Sequence, residues 1–72
     1  MEINFAIKGH IGSLSVNPKG WTKEVNLVSW NGRNTKYDIR EWEPGHQRMG
    51  RGITLTGEEA RKLYELLKVV FA

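Results

Sequence analysis

The sequence predicts an α+β domain: an antiparallel sheet of short strands followed by one carboxy-terminal α-helix. Two observations predict it. Up to Leu55, apolar and polar residues alternate in short runs separated by glycine, proline and asparagine, the period-two pattern of half-buried strands. From Thr56 the pattern changes to helical spacing, opened by Thr56 and Glu59 as a T-x-x-E capping box. Seventy-two residues hold one domain, so 1–72 is taken as a single unit.

The elements follow in order. Glu2 to Lys8 alternates, with Ile3, Phe5 and Ile7 on one face. Gly9 and Gly12 around His10 predict a hairpin turn, and Ile11 to Val16 a second strand. Asn17-Pro18-Lys19-Gly20 is a turn signal, because proline presets φ and glycine accepts positive φ. Trp21 to Trp30 is a strand with Val25 and Leu27 on one face and Val28 and Trp30 on the other. Asn31-Gly32 is the strongest short hairpin signal. Thr35 to Trp42 is the next strand. Tyr37 and Ile39 share the face expected to pack a core; Lys36, Asp38, Arg40 and Trp42 share the other. Glu43 to Gly50, with Pro44-Gly45, is a polar loop. Gly50-Arg51-Gly52 forms a tight corner feeding the short strand Ile53-Thr54-Leu55. In the helix, Ala60, Leu63, Tyr64, Leu67, Val70 and Phe71 form a stripe that Leu66 and Val69 widen.

Composition narrows the function classes. There is no cysteine, which excludes disulfides and thiolate metal sites. His10 and His46 have no metal-ligand spacing, so neither a metal nor any other cofactor is expected. A domain this small lacks these staples, so the over-wide apolar helix predicts a homodimer. Met1-Glu2-Ile3-Asn4 does not open a signal peptide, and there is no long apolar span, so a cytoplasmic protein without a membrane partner is expected. The net charge is +3. Beyond Thr56, Arg61, Lys62 and Lys68 cancel Glu58, Glu59 and Glu65, which confines the basic excess to the strand half. That asymmetry points to an anionic partner.

Lys36, Arg40 and Trp42 on one strand face combine cations with a flat ring, the composition of a platform for single-stranded nucleic acid. Trp30, beside the Asn31-Gly32 turn, reads as a stacking ring at a strand end; the alternative for Trp30 and Trp42 is packing. Trp21 can stack from its loop or pin that loop to the sheet. Arg40 can pair with Asp38, contact phosphate, or do both. Arg51 between two glycines allows a close backbone approach to a ligand, or is a solvated β-bulge arginine. Lys23 and Lys36 alone are ordinary solvated lysines. Gly50-x-Gly52 is neither a dinucleotide fingerprint nor a Walker motif. Catalysis has little support: Ser13, Ser15 and Ser29 lack an elbow motif. Glu41 and Glu43 share a face as a carboxylate pair would, but Glu43 borders Pro44, where strand regularity ends. No enzyme is expected.

The ordered set Gly20-Trp21-Thr22-Lys23-Glu24, Trp30-Asn31-Gly32, Lys36-Tyr37-Asp38-Ile39-Arg40 and Met49-Gly50-Arg51-Gly52-Ile53-Thr54-Leu55-Thr56 resembles the positive cofactor four family of transcriptional coactivators. It is most similar to the small bacterial YdbC-like members. The resemblance covers nearly the whole chain. It implies a curved antiparallel sheet with a carboxy-terminal helix, a homodimer, and binding of single-stranded DNA with little sequence preference. It places Lys23, Trp30, Arg33, Lys36, Arg40 and Arg51 at or near contact positions. The sequence departs from the pattern at Asn31, where a lysine is common, in a longer Arg33–Tyr37 connection, and at Glu43, where an aromatic can follow Trp42. The serine-rich regulatory extension of the eukaryotic members is absent, so transcription regulation and DNA maintenance both stay open. A protein-interaction module and a single-stranded RNA binder are the alternative readings.

Overall fold

A computed structural model describes residues 3–72. Four strands, β1 (Phe5–Val16), β2 (Thr22–Trp30), β3 (Lys36–Trp42) and β4 (Met49–Leu55), precede one helix, α1 (Gly57–Phe71). The strands form one antiparallel sheet in the order β1-β2-β3-β4. The α+β architecture read from the sequence is the one observed. Glu2, where the first strand was expected to begin, lies outside the described residues.

The expected hairpin at Gly9–Gly12 does not exist. Residues 5–16 run as a single strand against all of β2, with Phe5 opposite Trp30 and Val16 opposite Thr22. Twelve residues of β1 face nine of β2 because the register shifts at three places, between Ile7 and Gly9, His10 and Gly12, and Ser13 and Ser15. Such irregularities bend and twist a strand. Neither Gly9 nor Gly12 has the positive φ a tight turn would need. Instead Gly9 lies against Leu27, where an added Cβ would sit 3.4 Å from the Leu27 Cδ1.

The true turns match their sequence signals. Asn17 Oδ1 accepts from the backbone N of Lys19 (2.9 Å) and of Trp21 (3.0 Å), and Gly20 has φ 85°. Asn31 and Gly32 have φ 51° and 72°, the left-handed pair of a type I′ turn. The Asn31 side chain also ties down the start of the chain, accepting from Asn4 N at 3.0 Å. In α1, Glu59 N donates to Thr56 Oγ1 (3.1 Å) and Thr56 N donates to Glu59 Oε1 (2.9 Å), closing the capping box.

β4 begins at Met49, so Gly50, Arg51 and Gly52 belong to the strand and the expected glycine corner is absent. Gly52 faces Arg40 across the β3–β4 ladder. A Cβ there would collide with the Arg40 Cβ and the Ile39 carbonyl. The glycine serves close strand contact within the protein.

The position of the core corrects a third expectation. By period and register, Thr22, Glu24, Asn26, Val28 and Trp30 of β2 share one face with Lys36, Asp38, Arg40 and Trp42 of β3. That inner face holds the buried residues Glu24, Asn26, Val28, Asp38 and Trp42; Ser29 is the buried residue of the outer face. Tyr37 and Ile39, expected in the core, are only half-buried on the outer face. The inner face is enclosed by the bent β1 and by the 43–48 loop, not by the helix. α1 lies beside Tyr37 and has no buried residue. Leu66 (61% exposed), Val70 (71%) and Phe71 (81%) leave its apolar stripe uncovered.

Candidate functional site

The inner face carries two polar centres. The first follows from Asp38 and Arg40 being two apart on a strand, which puts both side chains on one side. Asp38 is fully buried and accepts from Arg40 Nε (2.6 Å), Arg40 Nη2 (2.8 Å) and Thr54 Oγ1 (2.9 Å). Arg40 Nη1 donates to the Gly50 carbonyl at 3.3 Å. The guanidinium carbon lies 4.7 Å from the centre of the Trp30 ring, a cation–π arrangement. Both partners are largely withdrawn from water, with the Arg40 side chain 14% exposed, so the exposed surface pair weighed from sequence is instead an enclosed, bidentate one.

Trp30 is half-buried at the end of β2; Arg40 lies over its ring, and the tilted Phe5 ring has its centre 6.1 Å away. Exposed Lys36 starts β3 opposite Val28 on the same face. Exposed Arg33 sits just past the turn, its carbonyl held by the Ser29 hydroxyl at 2.7 Å. Trp30 and Arg40 are thus brought together, with Lys36 on the same face and Arg33 just past the turn. Arg51 is exposed on the neighbouring β4, at the register shift between Met49 and Gly52.

Two expected site residues fall outside this group. Lys23 alternates with Glu24 and projects from the outer face, exposed. Trp42 does share the face of Arg40, but it is fully buried between Phe5 (5.2 Å between ring centres) and His46 (5.7 Å, stacked). In the folded chain its ring has no face free for a base.

The second centre escaped the sequence reading. Glu24, 4% exposed, accepts from the Thr22 hydroxyl, from Asn26 Nδ2 (3.0 Å) and from His46 Nε2 (2.9 Å). Asn26 Oδ1 in turn meets His10 Nδ1 at 2.6 Å. Burial alone raises the Glu24 pKa. The hydrogen bonds from Thr22, Asn26 and His46, with the charge His46 can carry, outweigh it and hold the carboxyl below its ordinary value. His46 reaches this position because the 43–48 loop folds back over the sheet: its N donates to the Glu43 carbonyl (2.9 Å), and it takes the left-handed φ of 58°. The one local signal was the alternation of polar Thr22, Glu24 and Asn26 along one face of β2.

Among the described residues no helix is long and apolar enough to cross a membrane, and no group of three or more His, Asp or Glu side chains is arranged to hold a metal ion.

Comparison with known proteins gives two likenesses. Residues 17–66 match the model of the family described as Transcriptional Coactivator p15 (PC4). An uncharacterized protein of Treponema pallidum (strain Nichols) is 42% identical over 66 residues, which span 92% of this chain and 78% of that protein.

Proposed function

Because the chain belongs to the Transcriptional Coactivator p15 (PC4) family, non-catalytic DNA-binding proteins, we propose that it binds single-stranded DNA on its inner face, with little sequence preference and no chemistry. The observation that carries this reading is the fixed pair of Arg40 and Trp30: a guanidinium locked by Asp38 and lying on a half-exposed indole. A preset cation beside an aromatic ring offers phosphate and base contacts together at little entropic cost. Lys36 and Arg33 add mobile positive charge on this side, Arg51 adds charge from the adjoining strand, and a base in a duplex lacks the free face that stacking on Trp30 needs. Trp42 acts here by packing beneath His46, and Lys23 contributes long-range charge from the other face.

The same proposal includes a homodimer. The exposed apolar residues of α1, with Ile53 on the sheet 54% exposed, are more uncovered surface than a lone small domain sustains. A second copy would cover them. The dimer would work in the cytoplasm, in transcription regulation or DNA maintenance.

The test is a titration of tryptophan fluorescence with oligo-dT, its RNA counterpart and a matched duplex. Tight, salt-dependent binding of oligo-dT but not duplex is the expected result. Equal binding of the RNA would make the protein a general single-strand binder. Trp30→Ala should weaken oligo-dT binding by about 1–3 kcal/mol while the protein stays folded. Unchanged binding by the folded variant would overturn the stacking role and favour the uncovered helix as the site of a protein partner.

A further inference from the structure

We propose that the cavity between His10, Glu24, Asn26 and His46 is a nucleobase pocket that selects bases presenting amino groups. This rests on the single-strand reading above and adds a sequence preference to it. The cavity, about 330 Å³ with Ile7 as its apolar wall, opens on the inner face that carries Trp30. Asn26 lies four residues from Trp30 along β2, roughly 14 Å at strand spacing, so a strand stacked on Trp30 extends over it.

The hydrogen-bond directions in the cavity follow from one charge. The depressed carboxyl of Glu24 is ionised near neutral pH and can only accept. Asn26 must therefore turn its amide NH2 toward Glu24, which leaves Oδ1 facing His10. His10 Nδ1 is then the donor to Asn26, and His46 Nε2 the donor to Glu24. When these imidazoles are neutral, the other nitrogen of each is an acceptor, which presents His10 Nε2 and His46 Nδ1 to a ligand. The histidine side chains are 53% and 40% exposed and can meet a ligand. The pocket thus offers acceptors over a floor of buried negative charge. A phosphate is repelled there; a flat base that brings N–H donors is matched. Cytosine, adenine and guanine carry an exocyclic amine with two donors; thymine and uracil bring only N3–H, set between two carbonyl oxygens that the acceptors and the buried charge repel.

The experiment compares a dT tract with the same tract carrying dC at interior positions, and with one carrying pyrimidin-2-one, which is cytosine without its amine. All are titrated at fixed salt and slightly alkaline pH. The wild type should favour the dC tract on the order of tenfold over the other two. His10→Phe and His46→Phe keep flat rings but remove the acceptors. Each should reduce the preference toward unity by weakening the dC tract more than the other two, with circular dichroism showing that the variant is folded. Equal wild-type affinity for all three tracts overturns the pocket while leaving single-strand binding intact. A dC preference that survives both substitutions also overturns it. Failure to bind any tract overturns both readings together.

Discussion

Arg40→Ala should destabilise the fold far more than the loss of a surface ion pair. Asp38 is fully buried, and Arg40 supplies two of its three hydrogen bonds. Removing Arg40 leaves an ionised carboxylate in the sheet with Thr54 alone, and breaking such a buried pair costs about 3–5 kcal/mol. A 72-residue domain has roughly 4–11 kcal/mol in total. The variant should therefore lose about a quarter or more of its stability, seen in urea unfolding by circular dichroism at one fixed protomer concentration, with the slope against denaturant unchanged. Adding Asp38→Asn removes the stranded charge and should recover most of the loss, since the amide oxygen still accepts from Thr54. If Arg40→Ala loses less than about 1 kcal/mol, the value of an exposed pair, the enclosure described above is wrong. The same holds if the double variant is no more stable than the single one. Any fall in DNA affinity for Arg40→Ala must accordingly be read only on the folded fraction.

Three further outcomes can be checked. Gly52→Ala should cost about 1–3 kcal/mol, because its Cβ meets the Arg40 Cβ and a carbonyl that cannot move aside, whereas Gly12→Ala, with nothing within 4 Å, should be neutral or mildly stabilising in the same assay. Glu24 titrates below its ordinary 4.5 in the folded chain, so the unfolded state binds more protons in acid; the stability it contributes is complete above about pH 4.5 and is lost as pH falls through the folded value. Glu24→Gln should flatten that acid limb, and an unchanged limb would refute the assignment. Leu67→Asp, on the uncovered face of α1, should shift sedimentation from dimer to monomer, and a wild type that sediments as a monomer at every concentration would end the dimer proposal.

What the sequence determined by itself is local. The Asn31-Gly32 turn, the Thr56–Glu59 capping box, the strands through Val25 and Ile39, and the shared face of Asp38 and Arg40 each depend on residues at most four apart, where backbone geometry dictates the outcome. The glycines of β1 and β4 misled because glycine marks both a turn and a close strand contact. Which it serves depends on the side chain opposite: Leu27 for Gly9, Arg40 for Gly52. Only the tertiary structure decided which face of the sheet is enclosed. Period two divides the faces but cannot name the inner one; the register shifts of β1 and the folded-back 43–48 loop do. That choice buried Trp42, turned Lys23 outward and brought His10 and His46 onto Asn26 and Glu24 across separations of 16 and 22 residues. Contacts at that distance leave no periodic trace in the chain, because either histidine meets its partner only after the sheet has bent and the loop has closed.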